Sequence, residues 1–205
     1  FSLRVQKRIR RQLNLNTKQI HYVAPTVWAW REGRAKAVAN YLDKILCLYP
    51  FEPEYFQKYG LAADFVGHPA AEINRPHIDE QEIKNKYNLP VSQKLVGLYL
   101  GSRNGEIKRH APLFSECLQI LKRSGQTEDV HYIVPTFEKF LPDLKSHFSG
   151  FLDQITFLTD QNEKEAVMPA LTSALCVNGT VCLELALSMV PHITCYKANV
   201  LTAII

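Results

Sequence analysis

The 205 residues are enough for one large domain or parts of two, and a hydrophobic share of 46% is typical of a globular chain with a buried core. The five cysteines form no CxxC pair, and the seven histidines show no HExxH or other ligand spacing, so the sequence predicts a reducing compartment, no disulfide framework and no metal site. The net charge of +4 is concentrated in residues 1–69, with 11 Lys and Arg against 5 Asp and Glu; without a recognised nucleic-acid motif, we predict no nucleic-acid partner.

Helical and strand patterns alternate through residues 1–69. The predicted helices are 3–13, 33–42 and 53–59, and the predicted strands are 19–24, 44–49 and 63–66. This order is typical of βαβ units with a parallel sheet. Gly67, His68 and Pro69 then interrupt the alternation, and the charge balance changes sign there, so we predict a hinge at these residues and at 70–77.

Residues 78–205 repeat the alternation. The predicted helices are 80–87, 106–123, 137–148, 163–171 and 181–189, and the predicted strands are 94–100, 130–134, 154–158, 173–177 and 192–196. The expected fold class is α/β, with a second parallel sheet that carries helices on both faces.

The first predicted helix is strongly basic. Its cations are Arg4, Lys7, Arg8, Arg10 and Arg11, and apolar residues share the segment. Such a helix lies on an anionic membrane surface, receives a phosphorylated ligand, or is the solvated outer helix of an α/β domain. We predict membrane contact through Arg8 and Arg11, and the solvated helix remains the alternative.

An aromatic segment follows the first predicted strand. Trp28 and Trp30 alternate there. This spacing fits packing against that strand and a place near a lipid equally well, because amphipathic rings also favour interfaces. Arg31 comes next and, with Arg34 and Lys36, either lies on a solvated helix face or meets an acceptor phosphate. His68 has no visible partner for acid-base chemistry, so we expect a hinge residue held by hydrogen bonds.

The strand 173–177 leads into Asn178, Gly179 and Thr180 and then into a helix that carries Glu184. Glu184 is the one formally charged residue between positions 166 and 196, and burial of an unpaired carboxylate costs several kcal/mol, roughly. A phosphate at the first turn of this helix, with Glu184 accepting from ribose hydroxyls, explains both features. An internally paired structural carboxylate is the alternative.

Gly101, Ser102 and Arg103 form a second turn of this kind, between a predicted strand and a predicted helix. Glycine permits close backbone approach, serine caps or donates, and arginine offers a planar fork to phosphate oxygens. The alternative is a helix cap with a surface arginine. Because ligands gather at the carboxyl ends of parallel strands, we expect the two turns to close on one diphosphate. The absence of GxGxxG and GxxxxGK[ST] argues against dinucleotide-dependent hydride transfer and against a P-loop.

Five segments together resemble the lipid-A-disaccharide synthase family, in that family's order. They are HYVAPTVWAWR at 21–31, LYPFE at 48–52, FVGHP at 65–69, GSR at 101–103 with EI at 106–107, and NGT at 178–180 with LEL at 183–185. Two positions depart from the family pattern: Leu100 replaces a common proline, and Asn178 replaces a common serine. Neither change removes a backbone N–H that a phosphate needs.

The resemblance implies a two-domain GT-B glycosyltransferase. It transfers 2,3-diacylglucosamine from UDP-2,3-diacylglucosamine to 2,3-diacylglucosamine 1-phosphate, with inversion, at the inner face of the cytoplasmic membrane, without cofactor or metal. Residues 1–69 then form the later half of the acceptor- and membrane-facing domain, 70–77 the hinge, and 78–205 a UDP-sugar domain truncated at its end.

The resemblance also implies that the general base lies upstream of Phe1, so we expect no turnover from this chain alone. Two alternatives stay open, a UDP-sugar 2-epimerase of the same architecture and an inactive remnant of a split gene. The sequence leaves the oligomeric state undecided.

Overall fold

The computed structural model describes residues 2–12, 17–29, 31–71 and 78–197. The chain forms two compact units, Phe1–Ile73 and Asn74–Ile205, each with its own parallel sheet. Within the described ranges, no helix is both long enough and apolar enough to span a bilayer.

The first unit is a three-stranded sheet with short helices. Its elements are α1 (Ser2–Gln12), β1 (Ile20–Tyr22), α2 (Gly33–Ala39), β2 (Lys44–Cys47), α3 (Glu54–Gln57), β3 (Ala62–Phe65) and a 3₁₀ turn at Pro69–Ala71. The sheet order is β1-β2-β3, and both pairings are parallel. Ile45 and Phe56 are fully buried at the centre of its core.

Polar contacts attach α1 to the rest of the first unit. The guanidinium of Arg10 pairs with Asp43, and its Nε donates to the carbonyl oxygen of Tyr41 at 3.1 Å. Nδ1 of His21 lies 2.7 Å from the side-chain oxygen of Gln6. Arg10 therefore stabilises the packing of α1 against this unit. The other cations of the helix, Arg4, Lys7, Arg8 and Arg11, are exposed.

The second unit is a five-stranded sheet with helices on both faces. Its elements are α4 (Glu80–Lys86), β4 (Lys94–Tyr99), α5 (Asn104–Arg123), β5 (Val130–Pro135), α6 (Leu141–His147), β6 (Ile155–Leu158), α7 (Gln161–Ala166), β7 (Ser173–Val177), α8 (Thr180–Leu187) and β8 (His192–Cys195), with 3₁₀ turns at Glu138–Phe140, Ser149–Gln154 and Met168–Ala170. The sheet order is β6-β5-β4-β7-β8, and all four pairings are parallel.

Residue alternation along the strands divides the core of this unit into two layers. Leu98 and Leu100 face one layer together with Phe114 of α5, while Leu95 and Tyr99 face the other together with Leu185 of α8. Period-two alternation in a sheet that is covered on both sides produces this pattern. The predicted α/β class with two parallel sheets is confirmed.

Two predicted helices are divided in the structure, and proline explains both divisions. The segment predicted as one helix at 137–148 begins as a 3₁₀ turn and restarts as α6, where Pro142 lies in the first turn. The segment predicted at 163–171 ends as α7 and continues as a 3₁₀ turn that contains Pro169. Proline lacks the N–H that an interior helical position donates, so it favours a new helical start.

Candidate functional site

The strand order of the second unit reverses between β4 and β7. The chain adds β5 and β6 on one side of β4 and then returns to place β7 on the other side. Ligands of open α/β sheets bind at the carboxyl ends of the strands at such a reversal. Tyr99 of β4 pairs with Cys176 of β7, so the turns that follow these strands leave the sheet side by side. Neighbouring strands lie about 4.8 Å apart, so the two predicted phosphate turns are brought together.

In the turn after β4, a glycine lies against a carboxylate. Gly101 has a φ of +100°, and a Cβ at this position would lie 2.6 Å from Oε2 of Glu106. Any other residue would strain the backbone and displace the carboxylate. Gly101, which we expected to give a ligand close access to the backbone, therefore leaves room for the side chain of Glu106.

The carboxylate of Glu106 accepts three hydrogen bonds within this turn. Its Oε2 accepts from the backbone N–H groups of Ser102 at 2.9 Å and of Arg103 at 3.1 Å, and its Oε1 accepts from the guanidinium of Arg103 at 2.8 Å. Burial raises the pKa of the Glu106 carboxyl, but the hydrogen bonds from Ser102 and Arg103 outweigh burial and leave the pKa below its ordinary value. The carboxylate caps α5 from position N3, as in a capping box.

These hydrogen bonds restrict which groups of residues 101–103 can contact a phosphate. The backbone N–H groups of Ser102 and Arg103 already donate to Glu106. The side chain of Arg103 is 82% exposed, and the hydroxyl-bearing Ser102 is exposed beside it. A phosphate at this turn would therefore meet the guanidinium and the hydroxyl rather than the amides.

The turn after β7 leaves its helix N-terminus open. Asn178, Gly179 and Thr180 are all exposed. The backbone N–H of Asn178 donates to Cys195 and extends the strand ladder, and the N–H of Cys182 donates to the Gly179 carbonyl oxygen at 3.1 Å. The N–H groups that begin an α-helix have no partner of the preceding turn within the helix. A Cβ on Gly179 would meet only the Val177 carbonyl oxygen, at 4.0 Å, so there is open space beside this glycine.

Glu184 lies one helical turn after Thr180 and is half-buried. Residues four apart in a helix share a face, so the carboxylate lies on the side of α8 that Thr180 begins. Burial first, and then the charge of Glu184, raise the pKa of the Tyr99 phenol. Among the residues that the structure describes, the Tyr99 hydroxyl has no hydrogen-bond partner. Glu184 thus belongs to the junction of β4, β7 and α8, and its role toward ribose stays a prediction.

A buried carboxylate also organises the first unit, and sequence reasoning missed it. Glu52 is 3% exposed, and its Oε2 accepts from the backbone N–H groups of Leu48 at 2.9 Å and Tyr49 at 3.0 Å. Its Oε1 accepts from the indole N–H of Trp28 at 3.3 Å. An acid three residues after the end of the predicted strand at 44–49 was the available signal.

Aromatic rings extend from this carboxylate to the surface. Trp28 meets Phe51 edge-on at 5.3 Å, Phe51 stacks on Tyr49 at 5.7 Å, and Tyr49 lies 6.3 Å from the ring of His68. The first three rings are each exposed by about two fifths. We call Trp28, Tyr49, Phe51 and His68 the aromatic patch. Trp28 thus packs internally and also faces outward. Trp30 lies outside the described residues, and Arg31 is an exposed residue with a φ of 63°.

The predicted hinge residues show a left-handed glycine followed by a short turn. Gly67 has a φ of +82°, His68 accepts the backbone N–H of Ala70 through Nδ1 at 3.1 Å, and Pro69 begins the 3₁₀ turn. The hydrogen-bonded state expected for His68 is present. Residues 72–77 lie outside the described residues, so the hinge itself stays a prediction.

The sequence analysis also missed a cluster that includes two cysteines. One potential metal-ligand atom from each of Cys176, Cys182 and His192 lies within 4.8 Å of the others. The residues come from β7, α8 and β8, so no short spacing along the chain reveals them. Only the parallel pairing of β7 with β8 brings them together.

The lowered pKa of Glu106 gives a first prediction. A carboxyl whose folded pKa lies below its unfolded value near 4.5 stabilises the fold above that value and loses the effect as pH falls through the folded pKa. We expect Glu106→Gln to reduce the free energy of unfolding by about 1–2 kcal/mol at pH 7 and by less at pH 4. Urea unfolding followed by circular dichroism measures both values. Glu116→Gln, at an exposed position of α5, is the control, and an equal loss at both pH values would contradict the assignment.

Comparison with known proteins identifies the family of this chain. It is 38% identical to the lipid-A-disaccharide synthase of Rhodospirillum centenum over 200 residues, covering 97% of this chain and 49% of that relative, and 36% identical to that of Gluconobacter oxydans, covering 100% and 48%. The chain therefore spans about half the length of these relatives. Among solved structures, the glycosyltransferase WaaG of lipopolysaccharide biosynthesis is 16% identical, with a TM-score of 0.49 over 93% of this chain and 62% of that one. The family profile described as lipid-A-disaccharide synthetase matches residues 1–205, and the chain belongs to that family.

Proposed function

We propose that this chain supplies the UDP-sugar site of a lipid-A-disaccharide synthase. In this proposal, the second unit binds UDP-2,3-diacylglucosamine, whose sugar is transferred to 2,3-diacylglucosamine 1-phosphate. One observation carries the proposal. Two turns that each open a helix lie side by side at the carboxyl ends of β4 and β7, where the strand order reverses. Family membership supports the choice of substrate.

The diphosphate is assigned to the space above the two turns. The first residue of α8 and the two residues before it are exposed, and the partial positive charge of a helix N-terminus favours an anion. Arg103 supplies a full positive charge from the neighbouring turn, and Glu106 orients it. The two turns thus offer complementary groups, backbone amides from one and a guanidinium from the other.

The ribose is assigned to Glu184. Its carboxylate lies one helical turn from the proposed phosphate position, which matches the order of phosphate and ribose in a nucleotide. Half-burial lowers the local dielectric, so a hydrogen bond from a hydroxyl to this carboxylate is stronger than at an exposed position.

The proposed reaction breaks the bond between the anomeric carbon and the UDP oxygen and forms a bond from the acceptor 6-hydroxyl oxygen on the opposite face. The acceptor proton passes to a general base, to which we assign no residue of this chain. Negative charge accumulates on the departing UDP, and preorganised donors aimed at that charge lower the barrier. Arg103 and the α8 amides are assigned this role.

The first unit is assigned to the lipid side of the reaction, at the inner face of the cytoplasmic membrane. Arg8 and Arg11 lie three residues apart on α1 and are exposed, so they present charge on one side of the helix. The aromatic patch offers partly exposed rings at the carboxyl ends of its sheet. Cations attract anionic headgroups, and amphipathic rings favour the interface.

Nucleotide binding is tested by calorimetry with UDP. We expect UDP to bind the 205-residue chain, and Glu184→Gln to weaken binding about tenfold, the effect of losing about 1.4 kcal/mol from a charged hydrogen bond. Glu116→Gln should bind as the original chain does. Equal UDP affinities for the Glu184 variant and the original chain would remove the ribose assignment.

Transfer is tested in a chimera, because the chain spans half of its relatives. These 205 residues replace the matching segment of the Rhodospirillum centenum relative, and disaccharide formation is measured with both acylated substrates. We expect activity, and a loss of about a hundredfold in kcat on Arg103→Ala, the scale for one preorganised donor. Arg123→Ala, at the opposite end of α5, is the control. Conversion of a UDP-sugar by the chimera without any acceptor would favour the epimerase alternative instead.

Membrane attachment is tested by sedimentation with vesicles. We expect the chain to bind anionic vesicles, with affinity falling as salt rises, and Arg8→Glu combined with Arg11→Glu to reduce it at least tenfold, since each basic residue contributes roughly 1 kcal/mol near such a surface. Arg123→Glu with Lys145→Glu changes the charge equally in the second unit and should leave binding unchanged. Equal sedimentation with neutral and anionic vesicles would indicate a solvated helix.

A further inference from the structure

Three side chains of metal-binding type converge beside the N-terminus of α8. Cys176 lies near the end of β7, Cys182 in the first turn of α8, and His192 at the start of β8, with potential ligand atoms within 4.8 Å of one another. We propose that the two sulfurs and a ring nitrogen of His192 form a binding site for Zn²⁺. The proposal rests on these residues alone and is independent of the assigned function.

The sulfur positions suit a tetrahedral ion. The Sγ atoms of Cys176 and Cys182 are 3.7 Å apart. With zinc–sulfur bonds of about 2.3 Å, two ligands of a tetrahedral ion are separated by about 3.8 Å. The two sulfurs therefore need almost no movement to bind one ion together.

The hydrogen bonds around the cluster resemble the outer shell of a metal site. Nδ1 of His192 lies 2.9 Å from the carbonyl oxygen of Val190, so Nδ1 donates its proton and Nε2 keeps a free lone pair. A backbone carbonyl behind the imidazole is a common support for a ligating histidine. The hydroxyl oxygen of Thr194 lies 3.5 Å from the Cys182 sulfur and 3.6 Å from the Cys176 sulfur, where it can donate to either thiolate.

The ligand set indicates which ion binds. Thiolate and imidazole favour zinc over the oxygen-seeking ions magnesium and calcium. Three protein ligands leave the fourth tetrahedral position to water. Cys176 is buried, whereas Cys182 and His192 are partly exposed, so an ion reaches the cluster past these two side chains.

A thiol binds zinc as its thiolate, so Cys176 and Cys182 release protons when the ion binds.

The site has a consequence for the turn between its two cysteines. Cys176 and Cys182 bracket residues 178–180, and His192 adds a tie to the edge strand β8. An ion held by all three joins three elements around that turn. Because the ion binds the folded state, it raises the thermal unfolding midpoint as its concentration increases.

Calorimetry tests the site directly. Zinc chloride is titrated into the chain with a phosphine reductant present, in two buffers of different ionisation enthalpy. We expect one ion per chain and release of protons on binding, because thiols bind the ion as thiolates. Cobalt(II) in place of zinc should give the charge-transfer absorption of thiolate–cobalt bonds. Absence of saturable binding, or binding without proton release, would overturn the proposal.

Variants locate the ion. Removal of an outer-shell partner alone typically costs 10–100-fold in affinity, so loss of a ligand in Cys182→Ser or His192→Ala should lower zinc affinity by more than about a hundredfold. Cys117→Ser removes a thiol of the same unit outside the cluster and should change nothing. Circular dichroism checks that each variant is folded. Full zinc affinity in either folded ligand variant, or loss of affinity in Cys117→Ser, would refute the assignment.

Discussion

Parallel pairing of β4 with β7 is the constraint on which the candidate site depends. Each strand runs into a small, polar turn that opens a helix, and neither turn alone is distinctive. Because the two strands are hydrogen-bonded neighbours with Tyr99 opposite Cys176, their turns leave the same edge of the sheet together. The same pairing leads to β8, which completes the cysteine and histidine cluster. One crossover in strand order thus positions two sets of functional groups.

Each unit uses one carboxylate to hold a turn at the end of a strand. Glu106 accepts two backbone N–H groups after β4, and Glu52 accepts two after β2. In both cases a third donor, a guanidinium or an indole, points outward from the same carboxylate. Gathering three donors offsets the cost of removing the charge from water. These side chains therefore convert flexible turns into fixed supports for Arg103 and Trp28.

The sequence predicted features that depend on local order and missed those that depend on pairing. Periodicity and turn residues were enough for the α/β class, the alternation of elements and the two turns, because these signals lie within short segments. The division of two helices followed from Pro142 and Pro169, whose positions were visible but whose effect was underestimated. The roles of Glu52 and Glu106 and the cluster around Cys182 required contacts that form only after folding. Spacing rules for metal ligands fail when each ligand comes from a different element.

The hydrogen bond between Glu106 and Arg103 has a consequence for the proposed nucleotide site. A phosphate that approaches the guanidinium meets one already engaged by an internal anion, and the two negative charges repel each other. In the proposed site, the attraction between Arg103 and a diphosphate is therefore offset from the start, and the Glu106 carboxylate replaces the phosphate when the nucleotide departs. The proposed reaction releases a nucleotide product, and a competing internal carboxylate shortens the residence time of that product and lowers its affinity.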